Sequence, residues 1–363
     1  EIKKLFDDCY VRICNIEAPC EIRPTDKTIE KRGPAIHQGE HFLEYIEKIG
    51  FNLASIANNH ILDYGESVLK RTIEGLNSVG VTTIGAGFSF EDVYKPYIIE
   101  QDNQKIAFIS GSQAEFGVFK SQKERVGYAW INHPYMHELI RQAKKNADLV
   151  YVLAHAGLEN IPYPLPEWRS IYKELIDIGA DCIIGSHPHI RQGYEMYKDK
   201  YIFYSLGNFF FDHSNSKYDT EKGKGLIVIC DTQNISQINI IPFKIENNQI
   251  VIDYSNETNK IMDERSAIFA NEKQYIDQID EIAETYWKQY YSKYYEWYTP
   301  TDINHLRIKN IIKHVLKRLL KKDTINYRSN IDETMLLHNI QIETHRWIVE
   351  RYLYNKNIKQ NNF

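Results

Sequence analysis

The sequence lacks several features that would decide the class of protein at once. It contains no apolar run close to the ~20 residues that span a bilayer, and no cleavable signal is visible after its first residue, Glu1. Its 5 cysteines form no Cys-x-x-Cys pair, which argues against zinc held by thiolates. This cysteine usage favours a reducing compartment, so we predict a cytoplasmic protein. An extracytoplasmic, membrane-associated protein is the alternative if an upstream anchor is missing.

The sequence also has little net charge, no low-complexity tract and no internal repeat. A formal net charge of -5 over 363 residues gives no reason to expect a nucleic-acid partner. With 43% hydrophobic and 26% charged residues, the composition is typical of a globular protein. The length allows about two domains. We predict an α/β domain over 1–255 and a helical region over 256–363.

Apolar β-like runs alternate with amphipathic helical segments through the first two-thirds of the chain. The predicted strands cover 10–16, 53–57, 81–84, 106–110, 149–153, 182–184 and 201–205. The predicted helices lie near 39–49, 66–79, 134–146 and 167–178. This alternation favours a layered α/β fold with parallel strands, in which ligands bind beyond the carboxyl ends of the strands. Antiparallel strands are predicted within 224–254, and helices from about 257 onward.

The segment Gly185-Ser186-His187-Pro188-His189 directly follows an apolar run. Two histidines separated by one residue can direct both imidazoles into one pocket if the backbone between them is extended. Pro188 disfavours the helical region for His187, so we expect an extended His187. Neutral imidazole is the commonest protein metal ligand, although a His-x-His pair alone is weak evidence for a metal site.

Other polar residues follow strand-like runs in the same way. Asn59 offers an amide oxygen to a metal, His60 can donate a proton to a leaving group, and Asp63 can orient the His60 imidazole. Glu17 and His155 also lie at strand ends. Each residue alone has an ordinary alternative, as a turn asparagine, an N-cap, a solvated carboxylate or a packed histidine. Their occurrence together favours a site with mixed oxygen and nitrogen ligands, which suits transition metals better than Mg or Ca.

From about residue 10 to 213, these motifs resemble the capsule-synthesis CapA family, which includes the poly-γ-glutamate capsule protein and belongs to the calcineurin-like metallophosphoesterase superfamily. The motifs that carry the resemblance are Asn15-Ile16-Glu17-Ala18-Pro19, Ala57-Asn58-Asn59-His60-Ile61-Leu62-Asp63-Tyr64-Gly65, Gly85-Ala86-Gly87, His155-Ala156-Gly157, Gly185-Ser186-His187-Pro188-His189 and Phe203-Tyr204-Ser205-Leu206-Gly207-Asn208-Phe209. The resemblance implies a four-layer α/β/β/α sandwich over 1–255, with a two-metal site at one edge.

The resemblance also implies roles for individual residues. Glu17 corresponds to the carboxylate that bridges two ions of a divalent transition metal (Mn, Fe or Zn), and Asn59, His155 and His187 correspond to ligands of one ion. His189 corresponds to a ligand of the other ion, and His60 to the catalytic histidine. Asn58 and Asn208 are expected to shape the site or contact the substrate. Members of the family begin with a Gly-Asp motif whose Asp binds the first metal. No such motif precedes Glu17, so the number of bound ions, one or two, stays open. Ala156 replaces an aromatic residue of many relatives, which is expected to widen the pocket.

Two functions follow from this resemblance. The first is a metal-dependent hydrolase in capsule or surface-polymer biosynthesis, in which activated water attacks a phosphoester or γ-glutamyl amide and His60 is the general acid. Its substrate would be an anionic polymer or a small phosphoester. The alternative is a non-catalytic capsule assembly or polymer-binding protein. A basic amphipathic helix predicted over 302–322 fits either peripheral membrane contact or packing on the domain. The Tyr/Trp series over 286–298 fits either sugar stacking or helix packing.

Overall fold

The computed structural model describes residues 2–211, 221–234, 237–247, 249–295 and 335–361. The helix predicted over 302–322 lies outside these residues. The described strands are β1 (Ile13–Asn15), β2 (Leu53–Ser55), β3 (Thr82–Ile84), β4 (Ala86–Gly87), β5 (Tyr97–Gln101), β6 (Gln104–Ser112), β7 (Val118–Phe119), β8 (Gly127–Ala129), β9 (Leu149–His155), β10 (Cys182–Ser186), β11 (Tyr194–Tyr197), β12 (Lys200–Phe203), β13 (Lys224–Cys230), β14 (Ile238–Glu246) and β15 (Gln249–Ile252).

The helices follow the predicted pattern in the first two-thirds of the chain and continue beyond it. They are α1 (Ile2–Leu5), α2 (Phe42–Ile49), α3 (Glu66–Ser78), α4 (Phe90–Val93), α5 (Pro134–Asn146), α6 (Pro166–Asp177), α7 (Asn256–Ala267), α8 (Glu272–Tyr286), α9 (Ser292–Tyr295) and α10 (Glu343–Asn361). A 3₁₀ turn covers Ile268–Ala270, a π-helical turn covers Trp287–Tyr291, and residues 335–341 are also helical. None of the described helices is both long and apolar enough to span a membrane.

Two main sheets carry the strands that were predicted to be parallel. The smaller sheet has the order β1-β2-β3, with both pairs parallel. The larger sheet has the order β11-β12-β10-β9-β6-β5. Its four inner strands are parallel, and the outermost strand on each side is antiparallel to its neighbour. Strands β13, β14 and β15 form a separate antiparallel sheet, as the alternation over 224–254 predicts, and β4, β8 and β7 form a small fourth sheet.

The alternation of side chains along β2 shows how the layers stack. Leu53 is fully buried in a cluster with Phe108 of the larger sheet, so this face of β2 lies against that sheet. Ala54 points to the opposite face and joins a cluster with Leu69 of α3. Full burial of a side chain such as Leu53 contributes about 1.5–3 kcal/mol. Helices α5 and α6 cover the other face of the larger sheet, where α5 contacts β6 and β9 and α6 contacts β10 and β12. The predicted α/β/β/α layers are therefore confirmed.

Helix α2 ends at a glycine. Gly50 has a φ of 94°, and its N–H donates to the carbonyl oxygen of Ile46 at 3.0 Å. This left-handed geometry carries a steric penalty for any residue with a Cβ, so glycine closes the helix at the lowest cost. The chain can then turn directly into β2, which places the residues after that strand at the sheet edge.

The described chain forms two compact units. The first covers Glu1–Ile29 and Pro34–Ile276, and the second covers Glu30–Gly33 and Asp277–Phe363. The first unit extends beyond residue 255, where the sequence suggested a boundary, because α7 is tied to the larger sheet. The backbone N–H of Tyr194 donates to Ser266 Oγ at 3.1 Å, and Arg265 donates to the carbonyl oxygen of Arg191.

Aromatic packing dominates the described part of the second unit. Trp287 stacks on Tyr352 with ring centroids 4.7 Å apart, and Tyr291 is buried with its ring 5.6 Å from that of His345. The members of the 286–298 series that the structure describes therefore include residues engaged in helix packing, although Tyr290 remains half exposed.

Candidate metal centre

The parallel strands of the two main sheets bring the predicted site residues together beyond their carboxyl ends. β9 ends at His155, which lies beside Ser186 at the end of β10, and His187 and His189 follow immediately. In the smaller sheet, Asn15 at the end of β1 pairs with Ser55 at the end of β2. Glu17 follows Asn15 by two residues. Carboxyl ends of neighbouring parallel strands point in the same direction, which is why ligands from distant parts of the chain meet here.

Four of the predicted ligands converge on one point. His155 Nε2 lies 3.1 Å from Asn59 Oδ1, 3.1 Å from His187 Nδ1 and 3.7 Å from Glu17 Oε1. One ligand atom from each of Glu17, His155 and His187 falls within 4.8 Å of the others. Ligands that each lie about 2.0–2.2 Å from one ion are separated by about 3–3.5 Å, so these spacings fit a shared cation.

The hydrogen-bonding chemistry of this group also fits a cation. Glu17 Oε1 is buried and has no hydrogen-bond partner among the described residues. Asn59 Oδ1 can only accept, and His155 Nε2 carries at most one proton. If His155 Nε2 is protonated, its one proton points to Asn59 Oδ1 and Glu17 Oε1 stays unsatisfied. If His155 Nε2 is not protonated, its lone pair faces the lone pairs of both Asn59 Oδ1 and Glu17 Oε1. Lone pairs that converge in this way are what a divalent ion requires, so the residues present fit the metal that the family resemblance implies.

Burial shapes the protonation of these ligands. It lowers the pKa of His155 well below the ordinary value, and the nearby His187 and His189 add to this effect. His155 is therefore neutral near pH 7, which is the form that binds metals. Burial also raises the pKa of Glu17, although positive charge on His189 and His60 opposes the rise.

His189 approaches Glu17 from another side. Its Nε2 lies 3.5 Å from Glu17 Oε1, and its Nδ1 lies 3.0 Å from Asn208 Oδ1. Because an amide oxygen accepts, Asn208 holds the His189 proton on Nδ1 and leaves the Nε2 lone pair facing Glu17. Burial alone would lower the pKa of His189, but the charges of Glu17 and Glu159 and the bond to Asn208 raise it overall. Asn208 thus contacts a predicted ligand directly.

His60 and Asp63 form a buried pair beside the ligand cluster. His60 Nδ1 lies 2.7 Å from Asp63 Oδ2, and Asp63 is completely buried. The same carboxylate oxygen accepts from the backbone N–H of Ile36 at 2.8 Å, which fixes its position. The Asn58 side chain contacts backbone groups: its Nδ2 donates to the carbonyl oxygen of Ile16 at 2.7 Å, and its Oδ1 accepts from the His60 N–H at 3.2 Å. Asn58 therefore links the ends of β1 and β2.

The backbone around Pro188 differs from the prediction. His187 has a φ of 100° and His189 a φ of 60°, so the extended conformation expected for His187 is wrong. Tertiary contacts override the local preference: the Pro188 carbonyl oxygen accepts from Asn160 at 2.9 Å, and the Pro188 ring lies so close to Gly157 that a Cβ there would be 2.8 Å from Cγ. Such φ values cost about 1–3 kcal/mol each, and they recur at ligand-binding sites.

The sequence did not reveal Gln113 and Glu115, which lie just after β6. Gln113 Nε2 lies 3.1 Å from His187 Nε2 and donates to Glu115 Oε1 at 2.6 Å. Burial raises the pKa of Glu115 to about 7, against the opposing hydrogen bond from Gln113. The available signal was the length of β6, which continues two residues beyond the predicted end at Ser110 and delivers this segment to the same edge as His155.

Comparison with known proteins identifies the family. The family model for the bacterial capsule synthesis protein PGA_cap matches residues 1–213, and the chain belongs to that family. The capsule biosynthesis protein CapA of Bacillus anthracis is 34% identical over 192 residues, which cover 51% of this chain and 47% of the relative. The PGA biosynthesis protein CapA of Bacillus subtilis is 31% identical over 201 residues, covering 54% and 52%. The chain thus spans about half the length of these relatives.

Solved structures were compared as well. The sulfate thiohydrolase SoxB of Thermus thermophilus superposes with a TM-score of 0.39 and 12% identity, covering 62% of this chain and 38% of that one. A 5′-nucleotidase of Candida albicans gives a TM-score of 0.37 and 12% identity, covering 58% and 40%. The family resemblance that the motifs predicted is confirmed by the family match.

Proposed function

We propose that this chain is a metal-dependent hydrolase that acts in capsule or surface-polymer biosynthesis. The observation that carries the proposal is the convergence of buried candidate ligand atoms from Glu17, Asn59, His155 and His187 beside the His60–Asp63 pair. A ligand cluster alone would support metal storage or a structural ion. The adjacent proton donor, oriented by a buried carboxylate, adds the second requirement of hydrolysis.

The ligands divide into two groups around Glu17. Asn59, His155 and His187 would hold one divalent transition-metal ion with Glu17, and His189 would hold a second ion on the other side of the same carboxylate. Mn, Fe and Zn are the metals that such oxygen and nitrogen donors suit. A divalent cation in this position lowers the pKa of a water that it binds and neutralises charge on the group under attack.

His60 would act as the general acid. Asp63 accepts from His60 Nδ1, which leaves Nε2 as the nitrogen that gains and loses the catalytic proton. The bond to Asp63 fixes the orientation of the imidazole, and the proton passes from Nε2 to the leaving oxygen or nitrogen. General-acid catalysis of this kind contributes about 10²–10⁴ in rate.

The substrate class is proposed from the family and from the charge of the site. The relatives in Bacillus are named for capsule and PGA biosynthesis, which supports a phosphoester or a γ-glutamyl amide, in a small molecule or an anionic polymer. The charge of Glu159 acts on both Glu17 and Glu115 within the site. An anionic substrate would be repelled by these groups unless cations were bound, so metal and substrate binding are expected to be coupled.

Metal content and turnover test this function together. The protein, purified without chelator, is measured by mass spectrometry for metal and then assayed against a phosphodiester and a γ-glutamyl dipeptide. We expect bound transition metal, reduced in His187→Ala, and turnover that His60→Ala removes without changing the metal content. His41→Ala is the matched control, because His41 is an exposed histidine on the surface. Wild-type protein that binds no metal after loading with Mn²⁺ or Zn²⁺ would contradict the proposal.

A non-catalytic assembly role remains the second candidate, and one observation favours it. Among the described residues, only the group of Glu17, His155 and His187 brings three histidine or acidic ligands together. His189 Nε2 lies 3.5 Å from Glu17 Oε1, and a second ion would need further ligands. Stoichiometric metal at one site without turnover of either substrate would favour this role over the hydrolase.

A further inference from the structure

We infer that Glu115 is a positioning residue that orients two ligands of the metal centre, His187 and Asn59. Its carboxylate accepts the Nε2 proton of His187 and so presents Nδ1 to the cation. It also accepts from the Asn59 amide and so turns Asn59 Oδ1 towards the same point. The inference rests on the proposed function, since it requires a cation at this cluster.

The two nitrogens of His187 face different surroundings. Nδ1 lies 3.1 Å from His155 Nε2, within the ligand cluster. Nε2 lies 3.1 Å from Gln113 Nε2 and 3.8 Å from Glu115 Oε1. Only 5% of His187 is exposed, so protein neighbours rather than bulk water decide which nitrogen carries the proton. A neutral histidine that binds a cation through Nδ1 must carry its proton on Nε2.

Gln113 cannot accept that proton in the orientation it adopts. Its Oε1 accepts from the backbone N–H of Gly157 at 3.1 Å, and its Nε2 donates to Glu115 Oε1 at 2.6 Å. The group that faces His187 Nε2 is therefore an amide NH₂, which has no lone pair to offer. The Glu115 carboxylate can accept it, and a shift of about 1 Å brings the 3.8 Å separation of Glu115 Oε1 and His187 Nε2 into hydrogen-bond range.

Cation binding would then change the tautomer of His187. We assign the proton of metal-free His187 to Nδ1, because the Gln113 amide nitrogen faces its Nε2 and His155 Nε2 faces its Nδ1. When a cation takes the Nδ1 lone pair, that proton leaves to solvent and Nε2 gains one. The imidazole stays neutral and no net proton is released from it. The new Nε2–H group of His187 then donates to the Glu115 carboxylate, and the hydrogen bond from the Gln113 amide to Nε2 is lost.

Glu115 acts on Asn59 in the same way. The Asn59 side chain hydrogen-bonds to the Glu115 carboxylate, and an amide can donate only through its nitrogen. Asn59 Oδ1 is thereby left at 3.1 Å from His155 Nε2, inside the ligand cluster. One carboxylate thus fixes the ligating atom of two different residues.

The segment that carries Glu115 is anchored by a fully buried tyrosine. The backbone N–H of Glu115 donates to the hydroxyl oxygen of Tyr128 at 3.0 Å, and this hydroxyl donates to the Gln113 carbonyl oxygen at 3.3 Å. Tyr128 has no exposed surface. The side chain of Glu115 is itself only 11% exposed. The carboxylate is therefore held in place before any cation arrives, which is the property of a positioning residue.

Zn²⁺ affinity tests the inference. Glu115→Gln and Glu115→Ala are compared with wild type by competition with a chromophoric chelator, using Zn²⁺ alone. Loss of such a neighbouring acceptor lowers metal affinity about 10–100-fold, and we expect this for both variants. Glu115→Asp retains a carboxylate and should recover part of the affinity. Glu138→Gln is the matched control, since Glu138 is an exposed carboxylate on α5. Circular dichroism confirms that each variant folds.

The tautomer gives a readout that a merely structural role would not move. Long-range ¹H–¹⁵N spectra, with the His187 signals identified from His187→Gln, should show the proton on Nδ1 without metal and on Nε2 with Zn²⁺. Wild-type affinity in both Glu115→Gln and Glu115→Ala, or Zn²⁺ bound through Nε2 of His187, would overturn the inference while leaving the proposed function intact. Absence of Zn²⁺ binding in wild type would instead overturn both.

Discussion

The replacement of Glu17 by glutamine should stabilise the metal-free protein and abolish its stabilisation by metal. In the part of the chain that the structure describes, Glu17 Oε1 is buried without a hydrogen-bond partner. An unsatisfied buried acceptor costs about 1–3 kcal/mol, more if it is charged. In Glu17→Gln, an amide NH₂ can donate to the Nε2 lone pairs of His189 and His155, which lie 3.5 and 3.7 Å from Oε1. The metal-free variant should therefore exceed wild type by about 1–3 kcal/mol near pH 7.

The difference in free energy of unfolding between metal-free Glu17→Gln and wild type should also grow with pH. Burial raises the pKa of Glu17 in the folded state above its ordinary value of 4.5. The folded protein then binds more protons than the unfolded chain between the two pKa values, so wild-type stability falls as pH rises through that interval. The destabilisation of the folded protein by the charged Glu17 is absent below pH 4.5 and complete above the raised pKa. Glu17→Gln removes the titrating group and should flatten this dependence.

Urea unfolding with chelator, and again with saturating Zn²⁺, provides the assay. Zn²⁺ at about 100 times its Kd should add about 2.7 kcal/mol to wild type and almost nothing to Glu17→Gln. Glu74→Gln is the control, because Glu74 is an exposed carboxylate on α3. A metal-free Glu17→Gln less stable than wild type, or one that gains as much from Zn²⁺, would refute the reasoning.

Three further predictions follow from features of the first unit. Gly157→Ala should lower Zn²⁺ affinity at least tenfold by chelator competition, because a Cβ would lie 2.8 Å from Pro188 Cγ and displace the His187–His189 segment; unchanged affinity would contradict this. Arg169→Met should cost about 3 kcal/mol in urea unfolding, because it leaves the nearly buried Glu195 carboxylate without its bidentate partner; a loss below about 1 kcal/mol would argue against it. The raised pKa of His189 means that protons compete with metal, so Zn²⁺ affinity should rise with pH above 6.5, and less so in His189→Gln.

Much of the site was predictable because parallel strands share a direction. Once the apolar runs before these residues are interpreted as parallel strands, the carboxyl ends within each sheet lie at the same edge. This places Glu17 with Asn59 in the smaller sheet and His155 with His187 in the larger one. The family resemblance supplies the stacking of the two sheets, which brings both edges together, and it assigns ligand roles to these residues.

The contribution of Glu115 could not be predicted in this way. Its contact with His187 spans 72 positions of the chain and requires β6 to lie next to β9, which depends on sheet order rather than on local pattern. The conformation of His187 was also beyond local reasoning. The residue before a proline prefers an extended backbone, yet contacts of Pro188 with Gly157 and Asn160 impose a positive φ.

The sheet formed by β13, β14 and β15 determines whether the segment matched by the family model, residues 1–213, can fold by itself. The family match ends at residue 213, but Val228, Cys230, Ile238 and Ile240 pack into the core between the two main sheets. Arg265, still later in the chain, donates to the backbone two residues after His189. A fragment that ends at 213 would expose this core and release the metal-binding segment. The family match therefore covers the motifs that carry the candidate ligands, whereas the compact unit to which they belong extends well past it, to Ile276.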